Sequence, residues 1–178
     1  MKKVSTIFGT FLALFIISCD GEDGRDGVDG LDGVNVVGNI YEIEDDFTPD
    51  NDYSLLFNFP DTVEVFESDV VLVYILWEQT ENSAGEAVDV WRLLPQTRLL
   101  DQGILQYNYD HTYLDARIFL ESDFDLGTLP SGDTDNQVFR IAIMPADYAE
   151  AKMDRSNIAS VMQTMGVSEN EVQKIALD

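Results

Sequence analysis

The chain has 178 residues, with 34 acidic and 10 basic side chains for a formal charge of −24, and only one Cys and one His. One Cys excludes an internal disulfide, one Cys with one His cannot build a four-ligand structural zinc site, and any Ser-His or Cys-His mechanism would have to run through His111 alone. Such acidity also argues against a nucleic-acid partner, because phosphates are bound when Lys and Arg displace counterions.

Met1-Lys2-Lys3 precedes an uncharged, almost wholly apolar run over residues 4–17. The run is shorter than the ~20 residues a helix needs to cross a bilayer, and its basic start marks it as a secretory leader. It closes on Ile16-Ile17-Ser18-Cys19, which resembles the bacterial lipobox. The resemblance implies cleavage between Ser18 and Cys19, lipid on the Cys19 thiol and acylation of the new amino terminus. Residues 1–18 are then a signal peptide, and Cys19 is an anchor and not a catalyst. Attachment through more than one acyl chain is effectively stable. Cleavage would remove Lys2 and Lys3 and no acid, leaving a charge of −26 over 160 residues.

Residues 19–34 make a second segment. Gly21, Gly24, Gly27, Gly30 and Gly33 keep a strict period of three, mostly as Gly-x-Asp. Collagen has this period because only Gly fits the crowded axis of its triple helix. All five prolines lie outside the tract, so the extended conformation is not pre-organised, and a solvated, disordered tether is expected over a trimerising stalk. Extended at ~3.1 Å per residue, about 14 residues reach about 40 Å, enough to hold a domain clear of a lipid surface.

Leader, Cys, acidic glycine triplets and one compact domain together resemble the collagen-like-repeat lipoproteins of Bacteroidota, as do segments 71–78 and 89–97. The resemblance implies an outer-membrane lipoprotein and carries no established activity with it. Asp20, Glu22 and Asp23 resemble the acidic surface-export signal of that phylum. The expected location is therefore the extracellular face of the outer membrane, with the periplasmic face as the alternative.

Residues 35–178 read as a single domain without internal repeats. Tyr53, Leu55, Phe57 and Phe59 alternate with Ser54 and Asn58, the pattern of a half-buried strand. Leu105, Tyr107 and Tyr109 alternate in the same way, as do Leu114, Ala116, Ile118 and Leu120, and Phe139, Ile141 and Ile143 around Arg140. Residues 70–77 are unbroken apolar sequence, which predicts an interior strand covered on both faces. A polar turn over 81–86 leads into a hairpin partner at 88–94. Strands joined by polar connections predict an all-β fold, an antiparallel sandwich of about seven strands. After Pro145 a short helical segment is expected over about 146–178. Ile158, Val161, Met162 and Met165 fall at i, i+3, i+4 and i+7, with Gly166 as the stop. Ser168-Glu169-Asn170-Glu171 reads as a capping box opening a last helix with Val172, Ile175 and Ala176 on one side. A final strand is the alternative, since Ile175 and Leu177 also alternate.

Candidate chemistry is sparse. Asp110 could orient His111, but no Gly-x-Ser-x-Gly elbow supplies a nucleophile, and a turn histidine bonded to backbone is the favoured reading. Paired carboxylates for glycoside hydrolysis must lie about 5–10 Å apart in a cleft, a spacing that so many acids satisfy by chance. Asp45, Asp46, Asp50 and Asp52, with Glu44, put carboxylates at spacings that suit calcium, a hard cation wanting several oxygens. Glu121, Asp123 and Asp125 form a second cluster. Gly127 falls one place early for an Asp-x-Asp-x-Asp-Gly loop, and mutually repelling solvated loops are the favoured reading. Trp77, Trp91, Tyr107 and Tyr109 would make a sugar platform if they faced water, but strand aromatics are expected in the core. Arg92, Arg98, Arg117 and Arg140 are expected to pair with acids. No phosphate-binding glycine loop occurs, so no nucleotide cofactor is implied.

The expected function is a non-enzymatic binding, adhesion or assembly module held on the membrane by lipid on Cys19. One alternative is an accessory subunit of a larger outer-membrane complex for import, secretion or insertion. Another is a calcium-dependent glycan-binding or carbohydrate-active protein.

Overall fold

The computed structural model describes residues 38–150 and 152–177; the leader, Cys19 and the glycine-triplet tether lie outside the described residues. Among the described residues, nine strands make two sheets. They are β1 (Asn39–Asp45), β2 (Ser54–Asn58), β3 (Val70–Glu81), β4 (Ala87–Leu93), β5 (Gln96–Leu100), β6 (Gly103–His111), β7 (Asp115–Ser122), β8 (Gln137–Met144) and β9 (Gln173–Ile175). The five-stranded sheet runs β4-β3-β8-β1-β9 and the four-stranded sheet β2-β7-β6-β5. All neighbours are antiparallel except β9, which lies parallel to β1. The expected all-β sandwich is present, with nine strands in place of about seven and one parallel pair.

The alternation read from the sequence decides which side chains fill the space between the sheets. Leu55 and Phe57 of β2, Leu105 and Tyr107 of β6, and Ala116, Ile118 and Leu120 of β7 point inward from the smaller sheet. Tyr41, Ile43, Val71, Val73, Ile75, Phe139, Ile141 and Ile143 meet them from the larger one. The other face of the larger sheet is also buried. Ile40, Leu72, Tyr74, Ala142 and Met144 project there beneath α1 (Ile158–Met165), which sets down Ile158, Val161, Met162 and Met165. This second layer explains why residues 70–77 of β3 and, Arg140 apart, 138–144 of β8 are apolar on both faces.

Helix α1 closes at the Gly166 stop read from the sequence and opens on an N-cap, Asn157, that was not anticipated. Asn157 Oδ1 accepts the Ala159 N–H at 3.0 Å. At the other end Gly166 turns left-handed at φ 69°, Val167 N–H donates to Met162 O at 3.0 Å, and Gly166 N–H donates to Gln163 O. That paired arrangement is the Schellman stop, which favours Gly because a Cβ is strained at this φ. The second predicted helix does not form. Ser168 and Glu171 make the capping interaction, Ser168 N–H to Glu171 Oε2 at 2.8 Å, around a single 3-10 turn (Glu169–Glu171). The chain then extends as β9 beside β1, so the strand alternative is the correct one.

Candidate functional site

The acidic candidates and His111 do not converge on one site among the described residues. Asp45 Oδ1 accepts the Asp46 N–H at 2.7 Å, and Asp46 Oδ1 accepts the Asn136 N–H at 2.6 Å. Asp50 sits in the 3-10 turn Pro49–Asn51, and Asp52 closes it at φ 52°. Asp123 Oδ1 takes the Ile104 N–H, Asp125 Oδ1 the Gly127 N–H, and Glu121 Oε2 the Asn108 side-chain amide. These carboxylates cap backbone and side-chain amides, the usual work of Asp in turns. Among the described residues no three His, Cys, Asp or Glu side chains converge as a metal cluster. His111, exposed at the end of β6, stacks on Tyr109 at 6.5 Å with its Nδ1 3.4 Å from the Thr112 carbonyl. Asp110 turns instead to Arg117, whose Nε donates to Asp110 Oδ1 at 3.1 Å, so an Asp110-His111 pair is not formed.

The arginines and tryptophans do come together, in two places. On the side facing the smaller sheet, Trp77 lies under the Arg92 guanidinium at 4.3 Å, with Arg98 at 5.6 Å and the Tyr107 ring at 6.3 Å. Arg98 is ion-paired to Asp133, which is buried. The Tyr107 hydroxyl donates to the Asp133 carbonyl at 2.8 Å, and burial pushes its pKa up to about 12. On the helix side, Arg140 covers Trp91 at 4.3 Å. Its Nε donates to Glu42 Oε2 at 2.8 Å, and its terminal nitrogens grip both oxygens of Glu169. Lys174 of β9 reaches Glu42 Oε1 at 2.6 Å.

Arg140 is 5% exposed, although its place among alternating residues reads as solvent-facing. Burial alone would raise the Glu42 carboxyl, but hydrogen bonds from Lys174 and Arg140 outweigh it and hold the pKa below the ordinary glutamate value. Burial likewise opposes the charged Arg140, and its bonds to Glu169 and Glu42 more than compensate. This network fastens the 3-10 turn and β9 to the sheet. Of the four aromatics expected in the core, Tyr107 is fully buried, Tyr109 is half-buried, and the two tryptophans are half-buried beneath guanidinium groups. Arg98, Arg117 and Arg140 pair with acids as expected, whereas Arg92 rests on Trp77.

Between β4 and α1 lies an open groove of about 750 Å³. Trp91, Ile158 and Met162 give it apolar surface, joined by Val88, which is 41% exposed. Asp89, Asp154 and Glu169 line it as exposed carboxylates, and its one cation is the already engaged Arg140. Hydrogen bonds from Ser156 hold the Asp154 carboxyl below its ordinary pKa, so it is anionic at neutral pH. β4 is an edge strand, which gives the groove a margin of unpaired backbone amides and carbonyls. Sequence reasoning named Trp91 and Arg140 singly; their meeting depends on sheet register and on a helix well downstream.

No protein-family model, curated protein or solved structure matches this chain.

Proposed function

We propose that the protein is a lipid-anchored, non-enzymatic binding module of the outer membrane, carried on an acidic tether and facing outward. Its binding surface is the groove beside β4. The single observation carrying the binding role is that groove, where half-buried Trp91, exposed Val88 and exposed acidic side chains border a sheet edge unpaired among the described residues. A protein-binding surface commonly combines these parts, with backbone pairing supplying affinity and side chains supplying choice. The anchor rests on the leader and its terminal Cys19. Labelled palmitate should enter the wild-type protein and not the Cys19→Ala variant, and external protease should remove the domain from intact cells. Equal labelling of both proteins, or a domain cut only after lysis, defeats the anchor or its orientation respectively.

The free edge also favours a second reading, an accessory subunit docked on a larger outer-membrane assembly. Purification in mild detergent separates the two: stoichiometric partners support the subunit, and the chain alone supports the independent module.

A further inference from the structure

The backbone of β4 can be read amide by amide. Asn82 N–H donates to Glu86 O and Leu94 N–H donates to Val73 O, which fixes both ends of the β3–β4 ladder. Hydrogen-bonded and non-hydrogen-bonded pairs alternate along an antiparallel ladder. From the first fixed pair, with the register Thr80↔Val88 and Glu78↔Val90, Val88 and Val90 turn their polar groups toward β3. From the second, Arg92 does the same opposite Ile75. The polar groups of Ala87, Asp89 and Leu93 therefore point away from the sheet, along the open groove. The opposite edge of this sheet is β9, a strand of only three residues whose Lys174 is ion-paired to Glu42.

We infer that β4 is a docking edge for an extended, net-positive segment of a partner protein, which adds to the five-stranded sheet as a further strand. Its backbone pairs with the outward groups of Ala87, Asp89 and Leu93. Its groove-side residues lie over Trp91 and Met162, and its cations meet Asp89 and Asp154. Charge selects this occupant: these two exposed carboxylates face the groove, while its one guanidinium is already held by Glu42 and Glu169. An acidic segment would meet like charge there and in the chain as a whole, which is −24. The matching length is about that of β4, seven residues. This inference deepens the binding reading above and does not depend on the lipid.

The test uses the full chain in detergent and a synthetic peptide of alternating Lys and Val, with Glu-Val and proline-interrupted peptides as controls. Amide hydrogen exchange on the unaltered chain should show new protection at Ala87, Asp89 and Leu93 with the Lys-Val peptide alone, weakening as salt is raised. Asp89→Pro removes one outward donor at an edge position where proline is tolerated. It should weaken binding by about tenfold, equivalent to about 1.4 kcal/mol, while the chain keeps its melting temperature. Asp154→Asn, which leaves the backbone untouched, should weaken the Lys-Val peptide several-fold. Equal binding of the Glu-Val peptide overturns the charge argument. Unchanged exchange along β4 at saturating Lys-Val peptide, or no binding at millimolar peptide, overturns the docking edge. Failure here leaves the anchor standing, and an unacylated Cys19 leaves the docking edge standing.

Discussion

Replacing Arg140 by Ala removes the cation that ties together three parts of the fold. The side chains of Arg140 and Glu42 are 6% and 11% exposed, so their pair is shielded from solvent. Deleting one partner of a buried pair costs about 3–5 kcal/mol, because the remaining charge is left without compensation. The lost stacking on Trp91 adds about 1 kcal/mol. Lys174 still reaches Glu42, but its side chain is 80% exposed, so it offsets about 1 kcal/mol and the net loss is about 3–5 kcal/mol. For a domain of this size each kcal/mol moves the melting temperature by about 2–4 °C, so a fall of about 10 °C is expected. Glu169→Gln breaks the other arm of the network, where the carboxylate is 68% exposed. That change should cost about 0–1 kcal/mol. Thermal and urea unfolding followed by circular dichroism, with the two variants side by side, measures the difference. Arg140→Met combined with Glu42→Gln should recover most of the loss, since neither partner is then left charged. An Arg140→Ala protein melting within about 2 °C of Glu169→Gln would refute the reasoning.

Three further outcomes follow from the same structure. Because the Glu42 carboxyl is held below its ordinary value of 4.5, its contribution is complete above that pH and is lost as pH falls through the lower folded value. Melting temperature against pH should therefore drop less steeply below pH 4.5 in Glu42→Gln than in wild type, and parallel curves would count against the pairing. Tyr41 is fully buried, its hydroxyl has no hydrogen-bond partner among the described residues, and burial raises its pKa. Tyr41→Phe should leave the urea midpoint unchanged or raise stability by about 1 kcal/mol, and a clear loss would reveal a partner for that hydroxyl. Gly103 has φ 148°, and a Cβ there would lie 2.3 Å from Asp123 Oδ1, which is already bonded to the Ile104 N–H. Gly103→Ala should cost about 1–3 kcal/mol in the same assay, and a neutral result would contradict this turn geometry.

Local pattern carried a large part of the fold into the sequence. The period-two runs read at 53–59, 105–109 and 114–120, and the unbroken apolar stretch of β3, contain strands with the expected inward residues, except Leu114, which precedes β7 and is exposed. Ile158, Val161, Met162, Met165 and Gly166 mark α1 to the residue. Strands β1 and β5 were not anticipated. Their segments, Asn-Ile-Tyr-Glu-Ile-Glu-Asp and Gln-Thr-Arg-Leu-Leu, carry polar or charged side chains at places that a simple alternation assigns to the core. β9 forms because β1 offers an open edge, a tertiary fact that overrides the local helix signal of Ser168 and Glu171.

The candidate site was less legible for a related reason. A charged residue opposite a buried one in a strand reads as solvent-facing. Arg140 is buried because a helix starting 18 residues downstream and a turn starting 29 residues downstream fold over that face. Asp133, in a connection rich in polar residues, carries no local sign that Arg98 and Tyr107 will enclose it. Spacing along the chain also misrepresented the acidic loops, since Asp46 spends its carboxylate on Asn136, 90 positions away.

The fatty anchor is tested most directly by mass analysis of the amino-terminal peptide of the protein isolated from its own cells. The peptide should begin at Cys19 and carry the added mass of acyl chains on that residue. A peptide retaining Ser18 or earlier residues, or a Cys19 of unmodified mass, would contradict a membrane-tethered module.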